Sequence, residues 1–203
     1  HIRLDNSTII CYNVKNRLKR GGINMKKVSI FLAEGFEEVE ALTPADVLRR
    51  AGAEVTLVAV GGKREVAGSH GIIITADCLF EDMLPGGMPG TLHLKECTPL
   101  VELLKEFCGK GKKVAAICAA PTVLGEAGLL KGRKATCYPG CEDGLKGAEV
   151  LTDRVVIDGN ITTSRGVGTA IPFALSLTAQ LFDQNKADEI RESIVYGHGP
   201  AKN

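Results

Sequence analysis

The sequence lacks the features that mark several large classes of protein. Its 203 residues contain no apolar run long enough to span a membrane, and residues 1–24 lack the apolar centre of a secretory signal. The formal net charge is only +1, without a sustained basic stripe, so nothing indicates nucleic acid or a membrane surface as a partner. We therefore expect a cytoplasmic protein that acts on a small molecule.

The cysteines also lack the spacing of a disulfide framework or a zinc ribbon. There are seven, an odd number, and no two form a Cys-x-x-Cys pair. The two closest, Cys137 and Cys141, have no histidine nearby to complete a metal site. We expect reduced thiols, no metal and no cofactor.

What is present predicts one α/β domain over residues 25–196. The runs KKVSIFLA and AEVTLVAV are continuously apolar, and the segment between them has helical spacing. Continuous apolar strands are typical of a parallel sheet that is covered on both faces. The strand-helix pattern recurs further along the chain, so we predict a doubly wound parallel sheet in a single domain.

The two ends of the chain are expected to lie outside this domain. Residues 1–24 are polar as a whole and precede Met25, after which the first clean apolar strand begins. We predict a disordered N-terminal extension over residues 1–24 and a flexible tail over residues 197–203.

The run VAAICAAPT predicts a nucleophile at Cys118. An apolar strand leads into this cysteine, alanines stand two residues before and after it, and Pro121 opens a helix. This is the layout of a nucleophile elbow, with alanine replacing glycine and cysteine replacing serine. The helix end is expected to favour the thiolate. The alternative is that Cys118 is a small apolar residue of the core.

Two other segments are predicted at the same edge of the sheet. In the first strand-helix turn, Glu40 falls one helical turn after Glu37 among apolar residues, where a buried carboxyl would be protonated and donate a hydrogen bond. The alternative is that Glu37, Glu38 and Glu40 only complement the helix dipole. The glycines of LPGGMPG could present backbone N–H groups to a ligand oxygen, or could form a plain turn.

Histidine, the usual partner of a catalytic cysteine, is poorly placed. The chain has four. His1 and His198 lie near the ends, His70 lies between glycines in an extended excursion, and His93 follows the glycine loop. We interpret each as a solvated side chain rather than a catalytic base.

Four blocks together resemble a known family. FLAEGFEEVEALTPADVLRRAG, LPGGMPGT, AAICAAPTVL and TTSRGVGTA are similar, in this order, to the ThiJ/PfpI superfamily in its Parkinson-associated deglycase branch. The resemblance implies a flavodoxin-like sandwich, related to class I glutamine amidotransferases, and a homodimer. It also implies a readily oxidised nucleophile at Cys118 and a protonated Glu40.

The resemblance implies further residues of the site. Backbone N–H groups of Gly86, Gly87 and Ala119 would bind the oxyanion or substrate. Tyr138 and Val167 would line the pocket, and Arg50 would add a basic rim.

This chain departs from the family pattern in two places. Tyr138 stands where the family often has a histidine, and a phenol is a poor base at neutral pH. The family also has an apolar strand before its glycine loop, whereas here only Met83 and Leu84 remain for it. Either residues 72–75 are recruited to the sheet, or one sheet position is shortened and the protein is less stable.

The resemblance implies three functions, of which the leading one is a cofactor-independent glyoxalase or deglycase. Cys118 would add to the aldehyde of methylglyoxal or of an early glycation adduct, giving a hemithioacetal, and Glu40 would move the proton between adjacent carbons. The alternative is a redox-sensing or chaperone-like stress protein that uses an oxidisable Cys118. A role in the thiamine pathway is suggested only by the older name of the family. A peptidase is disfavoured because Ala119, not histidine, follows the cysteine.

Overall fold

The computed structural model describes residues 7–12, 19–20, 23–83 and 97–197. Thirteen strands are assigned among them, most of them short. In chain order they are β1 Ser7–Tyr12, β2 Lys19–Arg20, β3 Ile23–Asn24, β4 Lys27–Ala33, β5 Glu54–Val60, β6 Glu65–Ala67, β7 Ile73–Thr75, β8 Cys78–Leu79, β9 Lys113–Cys118, β10 Lys134–Ala135, β11 Glu149–Val150, β12 Val155–Asp158 and β13 Ile161–Ser164.

Seven of these strands form the central sheet, in the order β12-β13-β9-β1-β4-β5-β8. The pairs β4 with β5, β5 with β8, and β9 with β13 are parallel. Strand β1 is antiparallel to both its neighbours, and β12 is antiparallel to β13. The predicted parallel sheet is therefore a mixed, mostly parallel one.

The N-terminal region departs most from the sequence-based expectation. Instead of being disordered, Ser7–Tyr12 is a strand in the middle of the sheet, hydrogen-bonded to β4 on one side and β9 on the other. Ile9 and Ile10 are fully buried on opposite faces. The run STIICY is rich in apolar and β-branched residues, which suit a strand buried on both faces. The remaining residues of the predicted extension, 1–6, 13–18 and 21–22, lie outside the described residues.

Of the two expectations about the missing strand before the glycine loop, recruitment of residues 72–75 is wrong, and lower stability from a shortened sheet position stays a prediction. Strand β7 pairs with β6 in a separate two-stranded sheet, so it is not recruited to the central one. The segment Glu81–Met83 forms a short 3-10 turn instead of a strand. The position between β4 and β9 is filled by β1, so the central sheet is continuous there.

Five helices flank the sheet: α1 Glu38–Arg50, α2 Thr98–Gly109, α3 Pro121–Glu126, α4 Ala170–Leu181 and α5 Gln184–Ser193. One face of the sheet packs with residues of α2 and α3, including Leu100 and Leu124. The other face packs with α1 and α4 through side chains such as Leu48 and Phe173. This is the predicted arrangement of helices on both faces. Among the described residues, no helix is long and apolar enough to cross a membrane.

A close contact fixes α3 against the 3-10 turn Glu142–Gly144. A Cβ added at Gly125 would lie 2.1 Å from the backbone oxygen of Gly144 and 2.8 Å from the backbone nitrogen of Lys146. Both atoms belong to backbone, so a side chain at this position would push the turn away from α3. The glycine thus allows the segment after Cys141 to approach the helix that follows Cys118.

Gly125→Ala is therefore expected to destabilise the protein by about 1–3 kcal/mol, the usual cost of overpacking. The measurement is the free energy of unfolding from urea denaturation. Gly109→Ala is the matched control, because a Cβ at that helical glycine meets no atom within 4 Å. An equal effect of the two substitutions would contradict this account of the contact.

Candidate functional site

The predicted elbow is present at Cys118. Strand β9 ends at this residue, Ala119 and Ala120 form the turn, and α3 begins at Pro121. Cys118 has a φ of 65°, a left-handed conformation that is rare for a residue other than glycine. Such strain is typical of a nucleophile held on a sharp turn. Only 7% of the residue is exposed, so an incoming molecule has narrow access to it.

Helix α1 brings Glu40 to Cys118. Glu37 caps the helix by accepting a hydrogen bond from the backbone N–H of Glu40, at 2.7 Å. The Glu40 side chain is 1% exposed and faces Cys118 and the backbone of Val167. These contacts are looser than an ordinary hydrogen bond, because neither carboxyl oxygen has a partner of good geometry among the described residues. A buried carboxyl without such partners is available to a ligand.

Burial raises the pKa of Glu40 to about 8, and the nearby Glu37 carboxylate adds to this rise, whereas contact with Cys118 opposes it. Glu40 is therefore mostly protonated at neutral pH, as the sequence predicts. Burial also raises the pKa of the Cys118 thiol, and Glu40 raises it further, while the N–H of Ala119 lowers it. The expectation of a resting thiolate is wrong: α3 has only six residues, and burial outweighs its N-terminal end. Both groups hold a proton at rest.

Tyr138 and Val167 lie beside this pair, and their place in a substrate pocket stays a prediction. The backbone N–H of Tyr138 donates to the carbonyl of Cys118 at 2.8 Å. A Cβ added at Gly166 would lie 3.3 Å from the Tyr138 ring and 3.4 Å from a Glu40 oxygen, so this glycine lets the loop approach both. Tyr138 is 37% exposed and Val167 is 47% exposed, which places them at the mouth of the site.

The loop that carries Val167 is fixed by a residue that sequence reasoning did not single out. The Thr169 hydroxyl accepts hydrogen bonds from the backbone N–H of Gly166, at 3.0 Å, and of Arg165, at 3.2 Å. It also lies 2.7 Å from the Ser164 hydroxyl. Thr169 belongs to the block TTSRGVGTA, and a threonine that closes a glycine turn is the signal that could have identified it.

The other expected site residues have different outcomes. Ala119 lies at the elbow with its N–H directed at the Cys118 sulfur, whereas Gly86 and Gly87 lie outside the described residues. Arg50 ends α1, ten residues and roughly 15 Å of helix beyond Glu40, and there its side chain pairs with Asp46 at 2.7 Å. The structure therefore does not bring Arg50 to Cys118 within this chain.

A further group near the site was not predicted. Burial alone would raise the pKa of Glu38, but hydrogen bonds from the His70 ring and from the backbone of Glu38, His70 and Ile72 lower it to about 2. The ring nitrogen Nδ1 of His70 lies 2.9 Å from the Glu38 carboxylate, and this pairing raises the pKa of His70. His70 is thus paired to a buried carboxylate rather than merely solvated. The contact fixes the turn that carries His70 to the start of α1, the helix that positions Glu40.

Comparison with known proteins gives one consistent family. Residues 26–180 match the model of the DJ-1/PfpI family. The chain is 44% identical over 186 residues to Protein DJ-1 homolog B of Arabidopsis thaliana, covering 86% of this chain and 42% of that protein. It is 36% identical over 183 residues to the Parkinson disease protein 7 homolog of Danio rerio, covering 84% of this chain and 97% of that protein. It is 38% identical over 154 residues to a deglycase of Pyrococcus abyssi, covering 70% of this chain and 91% of that protein.

The chain spans less than half the length of the Arabidopsis relatives that it matches. Among solved structures, a mutant of a DJ-1 superfamily protein from Salmonella typhimurium superposes with a TM-score of 0.78 at 34% identity, covering 86% of this chain and all of that one. The oxidised DJ-1 of Toxoplasma gondii superposes with a TM-score of 0.75 at 37% identity, covering 83% of this chain and 97% of that one. These superpositions confirm the flavodoxin-like α/β fold.

Proposed function

This chain belongs to the DJ-1/PfpI family, and on that premise we propose that it is a cysteine-dependent enzyme of reactive carbonyls, with glyoxalase III-like or deglycase activity. One observation carries the proposal. A buried Glu40 with a raised pKa and no well-formed hydrogen bond faces a cysteine on a strained elbow. A thiol beside a carboxyl group that can both give and take a proton suits addition to an aldehyde.

The reaction with methylglyoxal then needs only groups of the chain and water. The Cys118 sulfur forms a bond to the aldehyde carbon, and its proton passes through Glu40 to the aldehyde oxygen, which gives a hemithioacetal. The ionised fraction of Glu40, which is present because the pKa is about 8, removes the proton from this carbon and returns it to the adjacent one, while the hydroxyl proton passes to the neighbouring carbonyl oxygen. The product is a lactoyl thioester of Cys118, which water hydrolyses to lactate and the thiol. No external oxidant or cofactor takes part.

The contact of the Ala119 N–H with the sulfur supports a site for the oxygen that becomes negative. The N–H of Ala119 already points towards the Cys118 sulfur, so it lies close to the oxygen of an adduct on that sulfur. The expected second donor, from Gly86 or Gly87, remains a proposal. Deglycation follows the same first step, because an early glycation adduct also offers a carbonyl carbon to the thiol.

Cys118→Ser is expected to reduce lactate formation from methylglyoxal to the uncatalysed level, because a serine hydroxyl is a far weaker nucleophile here. The measurement is lactate produced by purified protein, followed by NMR. Cys108→Ser is the matched control, since Cys108 is a half-buried thiol of α2. Equal lactate from wild type and Cys118→Ser would refute the enzyme proposal.

A redox-sensing or chaperone-like stress protein is the second candidate function. It is supported by the Ala119 N–H and the protonated Glu40 beside Cys118, which would hold the oxygens of an oxidised sulfur. Preferential addition of two oxygen atoms at Cys118 under mild peroxide, without lactate formation by wild type, would favour this function over the enzyme.

We also propose a homodimer in the cytoplasm. Val39 and Ile72 are about half exposed and border a shallow groove with Ile171 and Ile194 beside α1. Exposed apolar surface of this kind is typical of an interface, and all seven cysteines are thiols, which suits a reducing compartment.

Val39→Asp is expected to convert the dimer to a monomer, because it puts a charge into the apolar contact. The measurement is molar mass by light scattering, with Ile157→Asp as the control on another exposed isoleucine. A monomeric wild type, or an unchanged dimer in Val39→Asp, would contradict this interface.

A further inference from the structure

A second thiol lies beside the elbow and has no part in the proposed reaction. Cys141 is 7% exposed, as is Cys118. It packs in the core cluster of Ala119, Ala120 and Val123, the residues that follow Cys118, whereas the Cys118 side chain packs in the cluster on the other face of the sheet. The sequence alone predicts only a reduced thiol at this position. Its position in the fold gives it a more specific role.

Two successive hydrogen bonds connect Cys118 to Cys141 through one residue. The carbonyl of Cys118 accepts from the N–H of Tyr138 at 2.8 Å, and the carbonyl of Tyr138 accepts from the N–H of Cys141 at 3.0 Å. The second bond closes a turn in which Pro139 and Gly140 are the central residues, and Gly140 has a φ of 91°. Proline followed by a glycine of positive φ is typical of a type II turn. The chain therefore folds back and brings Cys141 beside Tyr138, which is itself hydrogen-bonded to the end of β9.

The segment after Cys141 is held against the helix that follows Cys118. A Cβ at Gly144 would lie 2.5 Å from the Thr122 methyl group, and a Cβ at Gly125 would lie 2.1 Å from the Gly144 oxygen. Thr122 itself donates to the carbonyl of Ala119 at 2.7 Å. The elbow and the Cys141 turn thus form one packed unit.

The electrostatics agree with this proximity. After burial and the Glu40 carboxyl, the Cys141 thiol is among the groups that raise the pKa of Cys118. Cys137 is not among them, and burial with the neighbouring Glu142 and Cys141 raises its own pKa to about 12. Cys141 is therefore a thiol of this segment whose charge affects the pKa of Cys118.

We propose that Cys141 is the resolving cysteine of Cys118, so that peroxide converts the pair into a reversible intramolecular disulfide. Hydrogen peroxide oxidises the Cys118 thiol to a sulfenic acid and releases water. The Cys141 sulfur then bonds to the Cys118 sulfur, the S–O bond breaks, and the hydroxide leaves as water with the thiol proton. A dithiol reductant restores both thiols. The disulfide would protect Cys118 from further oxidation to sulfinic acid, which is not reversed by ordinary thiols.

This inference concerns the same thiol as the proposed function and rests on its reactivity, but its readout is independent of turnover. The full chain is treated with hydrogen peroxide, alkylated, digested with trypsin and analysed by mass. Wild type is expected to yield peptide 114–131 joined to peptide 135–146, with the loss of two hydrogen atoms, and dithiothreitol is expected to reverse this.

Because peptide 135–146 contains both Cys137 and Cys141, variants identify the partner. Cys141→Ser is expected to abolish the linked peptide and to accumulate Cys118 with two added oxygens severalfold faster than wild type. Cys137→Ser is the matched control and is expected to retain the linked peptide. Cys141→Ala, checked for an unchanged circular dichroism spectrum, separates this result from misfolding.

Three outcomes would overturn the proposal: a wild type that gains two oxygens at Cys118 without a linked peptide, a disulfide within peptide 135–146 alone, or a linked peptide that persists in Cys141→Ser. If wild type forms the disulfide but makes no lactate, the proposed enzyme function fails and this inference stands. If it makes lactate without forming the disulfide, the reverse holds.

Discussion

A chain that begins at Met25, and so lacks strand β1, is expected not to fold. Removing Ser7–Tyr12 would open the sheet between β4 and β9, leaving backbone N–H and C=O groups of both strands unpaired in the core. It would also remove four apolar side chains that are 3% exposed or less: Ile9, Ile10, Cys11 and Tyr12. Each large side chain stabilises the fold by about 1.5–3 kcal/mol through its burial. The sum is comparable to the whole free energy of unfolding of a typical domain, roughly 5–15 kcal/mol.

The measurement is thermal unfolding followed by circular dichroism. The truncated chain is expected to show no cooperative transition. In the full chain, Ile10→Asp is expected to have nearly the same effect, because it buries an unpaired charge. Ile73→Asp is the matched control, since that isoleucine is 66% exposed and lies outside the central sheet. A truncated chain that unfolds cooperatively near the wild-type temperature would contradict the structural role of β1.

Glu40→Gln is expected to lower kcat for methylglyoxal by about 10²–10⁴-fold, the usual contribution of a general acid-base group. Glutamine has almost the same shape and can donate a hydrogen bond, but it cannot accept the thiol proton or the proton of the hemithioacetal. The measurement is the rate of lactate formation under saturating substrate, with Glu102→Gln, an exposed residue of α2, as the control. A kcat within a factor of about two of wild type would exclude Glu40 as the proton carrier.

The same substitution is expected to change how stability depends on pH. A carboxyl whose pKa rises from 4.5 to about 8 on folding binds its proton more tightly in the folded state. The stability that Glu40 contributes is therefore fully present below its unfolded pKa and is lost as pH rises towards 8. The loss is on the order of a few kcal/mol. Glu40→Gln should remove this decline between about pH 5 and pH 8. If the stability of Glu40→Gln still declines over this pH range, another group causes the decline.

The general fold was predictable because its signals are local. Continuous apolar strands such as β4 and β5, with an amphipathic helix between them, indicate a parallel unit without knowledge of distant contacts. The elbow was predictable for the same reason, since alanines and a proline around Cys118 favour a sharp turn into a helix. Glu40 followed from the helical register alone.

Strand β1 was missed because its environment depends on the whole chain. Residues 1–24 are polar on average, and the six residues of STIICY become a central strand only because a position between β4 and β9 would otherwise be vacant. The pairing of His70 with Glu38 spans 32 residues of sequence, which no local pattern reveals. Within one chain, the length of α1 separates Arg50 from Glu40, so a basic rim from Arg50 stays a prediction. The resting state of Cys118 was missed because burial, which the sequence does not quantify, outweighs the helix end.

The central claim is that a protonated Glu40 lies against Cys118, and the most direct measurement is the ionisation of that carboxyl by infrared difference spectroscopy. The account predicts a protonated C=O band that titrates near pH 8, is lost in Glu40→Gln and shifts in Cys118→Ser. A Glu40 band that titrates near pH 4.5, or one that does not respond to Cys118→Ser, would contradict it.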